Sequence, residues 1–233
     1  MSASSYQNNS NFVNSQTRRF SLQGPAGPLE ALEDLPDARV YAQPRGLAIV
    51  AHPHPLFGGT MDNKVVQTLA RALVQCGWRA VRFNFRGVGA SGGTYDKGRG
   101  ELADLLAVLE QSAPSGTGLP STPIALAGFS FGAFVTSHAV AAVASTRTLE
   151  HVVLVGTAAS RFAVAPIAAG LHDRTLVLHG EQDDTVPLVD VMNWARPQDL
   201  PVTVIPGVGH FFHGQLPLLR SVVVRHLRAG AAV

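Results

Sequence analysis

One serine sits between two glycines at a spacing that leaves the backbone few options: Gly128-Phe129-Ser130-Phe131-Gly132. Before it runs Ile124-Ala125-Leu126-Ala127, an apolar stretch that reads as a buried parallel strand. After it, Gly132 through Val143 is small and apolar and reads as a helix. A serine pinched between strand and helix requires small neighbours, because larger side chains would collide in so sharp a turn. Such a turn lifts the hydroxyl clear of the sheet and aims the free N–H groups of the helix N-terminus at whatever the oxygen attacks. With 23 glycines in 233 residues the five-residue pattern arises easily by chance. Its weight comes from the strand–turn–helix context.

The rest of the chain alternates in the same way. Gly46 to Ala51 is an apolar strand, and Lys64 to Cys76 a helix with Val65, Val66, Leu69 and Leu73 on one face and Gly77 as its stop. Arg79 to Phe85 reads as a strand, Glu101 to Leu109 as a helix, and Pro123–Ala127 as the strand leading to the serine. Further strands are expected at His151–Val155, Thr175–Leu178 and Val202–Ile205, with helices near Leu188–Trp194 and Leu216–Leu227. This rhythm predicts an α/β fold, a mostly parallel sheet with helices on both faces. Upstream, Phe20 and Leu22 alternate before the turn Gly24-Pro25-Ala26-Gly27-Pro28, which predicts an antiparallel hairpin, although Leu29, Leu32 and Leu35 also fit a helical spacing. Residues 1–15, mostly Ser, Asn and Gln, read as a disordered tail, leaving 16–233 as one domain.

Composition narrows the function classes. At 46% apolar the chain can bury a full core in one domain. Charged residues are only 15% and form no block, so a formal charge of +2 gives no basic patch for nucleic acid or an anionic membrane surface. The single cysteine, Cys76, excludes an internal disulfide framework and a cysteine-based metal cluster. Neither a membrane-length apolar run nor a charged-then-apolar leader is visible, which leads us to expect a soluble, cytoplasmic protein.

A serine nucleophile needs a base, and the base needs a carboxylate to hold its tautomer and stabilise its charged form. In a parallel sheet these groups gather beyond the C-terminal ends of the strands. The strand Thr175–Leu178 runs into His179-Gly180-Glu181-Gln182-Asp183-Asp184-Thr185-Val186-Pro187, and the next into Pro206-Gly207-Val208-Gly209-His210-Phe211-Phe212-His213. An acid, Asp183 or Asp184, and a base, His210 or His213, thus follow the serine in that order. The N–H of Phe131, with one more from the loop after the Gly46–Ala51 strand, is expected to form an oxyanion hole.

From about Arg18 to Leu227 the chain resembles the α/β-hydrolase superfamily, and within it the small lidless hydrolases related to dienelactone hydrolases. The closer match rests on His52-Pro53-His54-Pro55-Leu56-Phe57-Gly58-Gly59-Thr60-Met61, on Asn84-Phe85-Arg86-Gly87-Val88-Gly89-Ala90-Ser91, and on the three segments above. Dienelactone hydrolases proper carry cysteine where this chain has Ser130, so their particular substrate does not transfer. The resemblance implies Asp183 as the acid, His210 as the base, and Leu56 as the second oxyanion donor with Phe57 as the alternative. It also implies a serine hydrolase acting on carboxylic esters through an acyl-enzyme, without cofactor, on a small-molecule substrate. Acyl transfer, peptide or lactone cleavage, and a non-catalytic binding protein remain as alternatives.

Other features have competing readings. His52 and His54 suggest a metal pair, but their flanking prolines favour a rigid loop, and no third ligand has recognisable spacing. His138, His151, His172, His179 and His226 read as structural or surface groups. Gly87-Val88-Gly89-Ala90-Ser91-Gly92 matches a dinucleotide-binding glycine pattern, yet no apolar helix follows directly, and the next strand ends at Ser130. Phe57, Phe129 and Phe211 are candidates for lining an acyl pocket. The interval between the His151–Val155 strand and Thr175 is too short for a substantial cap, so the site is expected to be open.

Overall fold

The computed structural model describes residues 17–115 and 121–229; the tail expected over 1–15 lies outside them. Eight strands form one sheet: β1 (Thr17–Gly24), β2 (Gly27–Asp34), β3 (Leu47–Ala51), β4 (Arg79–Phe83), β5 (Ile124–Phe129), β6 (Leu149–Val155), β7 (Thr175–Gly180) and β8 (Val202–Ile205). Their order is β1-β2-β4-β3-β5-β6-β7-β8. The hairpin is present, with Gly24 facing Gly27, and β2 runs antiparallel to β4. Every pairing from β4 through β8 is parallel.

Five α-helices cover the sheet: α1 (Lys64–Gln75), α2 (Arg99–Ser112), α3 (Phe131–Val143), α4 (Leu188–Ala195) and α5 (Leu216–Ala229). Residues of α1 and α5 share one core with one face of the sheet, those of α2, α3 and α4 the core on the other. The central strands β3 and β5 are buried along their whole length, which explains their unbroken apolar sequence. Asn63 caps α1, its side chain accepting the N–H groups of Val65 and Val66. Between β6 and β7 there is only irregular chain and a short 3-10 turn, Ala169–Arg174, with no helical cap.

The glycine-rich loop after β4 is anchored to the hairpin. Glu30 Oε2 accepts from Asn84 Nδ2 at 2.8 Å and from the Ala90 N–H at 3.0 Å, while Ser91 Oγ donates to the Asn84 carbonyl at 2.7 Å. The N–H groups of Gly87, Val88, Ser91 and Gly92 also have acceptors within the protein.

Candidate active site

Ser130 lies between β5 and α3 in the expected sharp turn, with φ 57° and ψ −116°. That conformation costs a non-glycine residue about 1–3 kcal/mol and persists only where its surroundings enforce it. Here they do. The Ser130 N–H donates to the Val155 carbonyl at 2.8 Å, fastening the turn to β6. A Cβ on Gly128 would stand 2.4 Å from the Gly132 carbonyl oxygen, and one on Gly132 would stand 2.4 Å from that of Ala51. Both glycines are required because backbone passes where a side chain would be.

The carboxylate and imidazole arrive from the ends of β7 and β8. Asp183 Oδ1 accepts the N–H groups of Thr185 at 3.0 Å and Val186 at 2.7 Å, which fixes the carboxylate. Its Oδ2 lies 2.6 Å from His210 Nδ1, and His210 Nε2 lies 3.0 Å from Ser130 Oγ. Asp183, His210 and Ser130 are all buried. The rivals stand apart: Asp184 is exposed, and His213 is exposed in the turn before α5 rather than at its start. The Phe129 ring underlies the imidazole at 4.9 Å between centroids. On another side Gly156, at φ 55°, leaves the space that the ring occupies; a Cβ there would be 3.2 Å from His210 Cε1.

A family model described as serine aminopeptidase, S33, matches residues 42–171. In structure the chain is similar to an α/β serine hydrolase without lid from Xanthomonas campestris, at 36% identity and a TM-score of 0.80, covering 92% of this chain and 95% of that one. It is also similar to an α/β serine hydrolase homologue from Coxiella burnetii, at 39% identity and a TM-score of 0.74, over 90% and 97% of the two chains. This chain belongs to the α/β-hydrolase superfamily. An uncharacterised protein of Rickettsia prowazekii is 39% identical over 119 residues, 51% of this chain and 48% of that protein. The α/β hydrolase described here therefore matches about half the length of that curated relative.

Two expectations for this hydrolase need correction. Leu56 N–H donates to His54 Nδ1 at 3.2 Å and Phe57 N–H to the His54 carbonyl at 3.1 Å, so neither is offered to a substrate oxygen. The reason is local: Pro55 starts a 3-10 turn over Pro55–Phe57, with His54 as its cap, and the turn consumes those donors. The N–H of His54 itself has no partner among the described residues, nor does that of Phe131 at the start of α3. The second correction concerns Phe129, which is fully buried beneath His210 and does not line the cleft, whereas Phe57 and Phe211 do.

His52 is structural. Its Nδ1 stands 2.6 Å from the Pro53 carbonyl and its Nε2 accepts the Phe85 N–H at 3.0 Å, so both ring nitrogens are committed. Burial holds this imidazole down at about 4, hence neutral. It ties the loop after β3 to the end of β4. His179, fully buried, places Nε2 2.9 Å from the Val186 carbonyl and 3.4 Å from Asp183 Oδ2, and burial keeps its pKa below the ordinary range.

The cleft above Ser130 has a volume of about 280 Å³. Its walls include Arg161 and Phe162, from the loop after β6, which the sequence reading passed over. Their only signal was position beyond the end of a parallel strand. No helix among the described residues is long and apolar enough to cross a membrane.

Proposed function

We propose that this chain is a serine esterase that cleaves carboxylic esters of small molecules through an acyl-enzyme. The reading rests on the hydrogen-bonded path from Asp183 through His210 to the strained Ser130 hydroxyl. His210 Nε2 takes the Ser130 proton as Oγ attacks the ester carbonyl carbon, and Asp183 stabilises the resulting imidazolium. The oxyanion is held by the N–H of Phe131 and, in place of Leu56, that of His54. Collapse expels the alcohol, which takes the proton from His210. A water then gives its proton to His210 and its oxygen to the acyl carbon, releasing the acid and restoring Ser130.

The open cleft, with no cap between β6 and β7, supports accessible esters. Aminopeptidase action is supported less well. An aminopeptidase must receive the substrate's α-ammonium group, and no aspartate or glutamate lines the cleft among the described residues, whereas Arg161 does. Purified protein should turn over short-chain p-nitrophenyl esters and label with a fluorophosphonate, and Ser130→Ala should abolish both. Undiminished ester cleavage by Ser130→Ala would refute the assignment.

A further inference from the structure

The cleft beside Ser130 is lopsided in charge: one arginine lines it and no carboxylate does, among the described residues. Other arginines are committed within the fold, Arg82 to Asp34 at 3.0 Å, Arg86 to Asp104 at 2.8 Å and Arg147 to Glu110 at 3.1 Å. The exposed Arg161 guanidinium has no hydrogen-bond or ion-pair partner among the described residues. It is a cation at the wall of a reactive cleft with its pairing capacity unused.

A second donor stands with it. His54 Nδ1 accepts the Leu56 N–H, so the neutral ring carries its proton on Nε2. That N–H has no partner among the described residues, and His54 lines the cleft. Burial, and next the positive charge of Arg161, hold the His54 pKa below its ordinary range. Arg161 and His54 line the same cleft.

The aromatic side chains separate into two groups around the nucleophile. His54 packs with Phe57, Tyr95, Phe131 and Phe162, at 4.8, 4.8, 4.9 and 5.9 Å between ring centroids. In a second group, Phe211 packs with His210 at 5.0 Å and with Phe129 at 6.1 Å. Since His210 must hand its proton to the departing oxygen, the alcohol belongs on the side of His210 and Phe211. The acid portion is left facing Phe131, Phe162, His54 and Arg161.

We propose that this cleft selects esters whose acid portion carries a second carboxylate, half-esters of short dicarboxylic acids, with Arg161 pairing the free carboxylate and His54 Nε2–H donating to it. The proposal rests on the serine-esterase reading above and adds the substrate class. A guanidinium presents parallel donors that match a planar carboxylate, and one neutral N–H suits a single negative charge better than a doubly charged phosphate. The volume of about 280 Å³ suits a short chain.

The test compares kcat/KM of the full chain for monomethyl glutarate and for its uncharged counterpart, methyl hexanoate. A third ester carries the carboxylate on the alcohol side. The ratio of the first two substrates reports selectivity independently of how much protein is active. It should favour the half-ester and shrink as salt is raised. It should fall about tenfold or more in Arg161→Gln through KM, and recover in part in Arg161→Lys. An unchanged ratio in Arg161→Gln, or a preference confined to the alcohol-side carboxylate, overturns the proposal while leaving the esterase reading intact. If the wild type cleaves none of the three and no fluorophosphonate label reaches Ser130, the esterase reading falls and this proposal with it.

Discussion

His52 Nε2 accepts the Phe85 backbone N–H at 3.0 Å inside a fully buried junction between the ends of β3 and β4. Protonating that nitrogen would set two N–H groups against each other, and burial already holds its pKa at about 4. The unfolded chain would titrate near 6.5. Below that pH the unfolded state binds a proton that the folded state refuses, so stability is full above about 6.5 and is lost as pH falls towards 4. His52 alone contributes a loss of roughly 3 kcal/mol across that window. Urea midpoints between pH 7.5 and 4.5 should show the decline, and a flat profile down to pH 5 would contradict it.

His151, buried with Nδ1 unpartnered, adds to the same acid-side loss, since burial holds it also at about 4. Replacing His151 by Leu should flatten the pH dependence of the melting temperature below 6.5 relative to the wild type. An unaltered slope would show that His151 takes up its proton in the folded state as readily as in the unfolded chain.

Asp183→Asn should keep the fold and lower kcat by about 10³–10⁴, because an amide no longer stabilises the imidazolium. Asp184→Asn, on an exposed side chain, should stay within about twofold of the wild type. Steady-state rates on a p-nitrophenyl ester decide between them, and equal losses would mean the acid has been misassigned.

His54 adopts φ −55° and ψ 123°, angles that proline accepts. His54→Pro therefore deletes the backbone N–H while keeping the chain's course, and His54→Ala removes the ring but keeps the N–H. The proline variant should be slower than the alanine variant by about 10²–10³ in kcat. Equal rates would place the second oxyanion donor elsewhere.

Gly132→Ala should destabilise by about 1–3 kcal/mol or prevent folding, since its Cβ would meet the carbonyl oxygens of Ala51 and His52 at 2.4 and 2.5 Å. A melting temperature equal to that of the wild type would mean that β3 can yield at that point.

The fold was legible because hydrophobic period and turn chemistry are local. The apolar stretches at β3, β5 and β7 and the stripe of α1 mark their own positions, with ends drifting by a few residues, as where β4 stops at Phe83 rather than Phe85. Strand order placed Ser130, an acid (Asp183 or Asp184) and a histidine (His210 or His213) beyond one end of the sheet, and the family resemblance, rather than local pattern, singled out Asp183 and His210. Which N–H of the loop after β3 stays free was not legible, since it depends on a 3-10 turn that ties up those of Leu56 and Phe57. Phe129 failed for a related reason: neighbours in sequence alternate sides of a strand, so adjacency to Ser130 sent it beneath the sheet's edge rather than into the cleft. Arg161 had only its position beyond the end of β6 to mark it, and the three-dimensional wall shows that it lines the cleft.

The path linking Ser130 to His210 spans 80 residues of chain, and its acid and base follow the last two strands of the sheet. During synthesis the nucleophile emerges well before either partner. Until β7 and β8 dock, the Ser130 hydroxyl has no imidazole beside it, so on the proposed esterase reading a nascent or truncated polypeptide would leave esters almost uncleaved. On that reading, ester turnover would report that translation has run through to the end of the sheet.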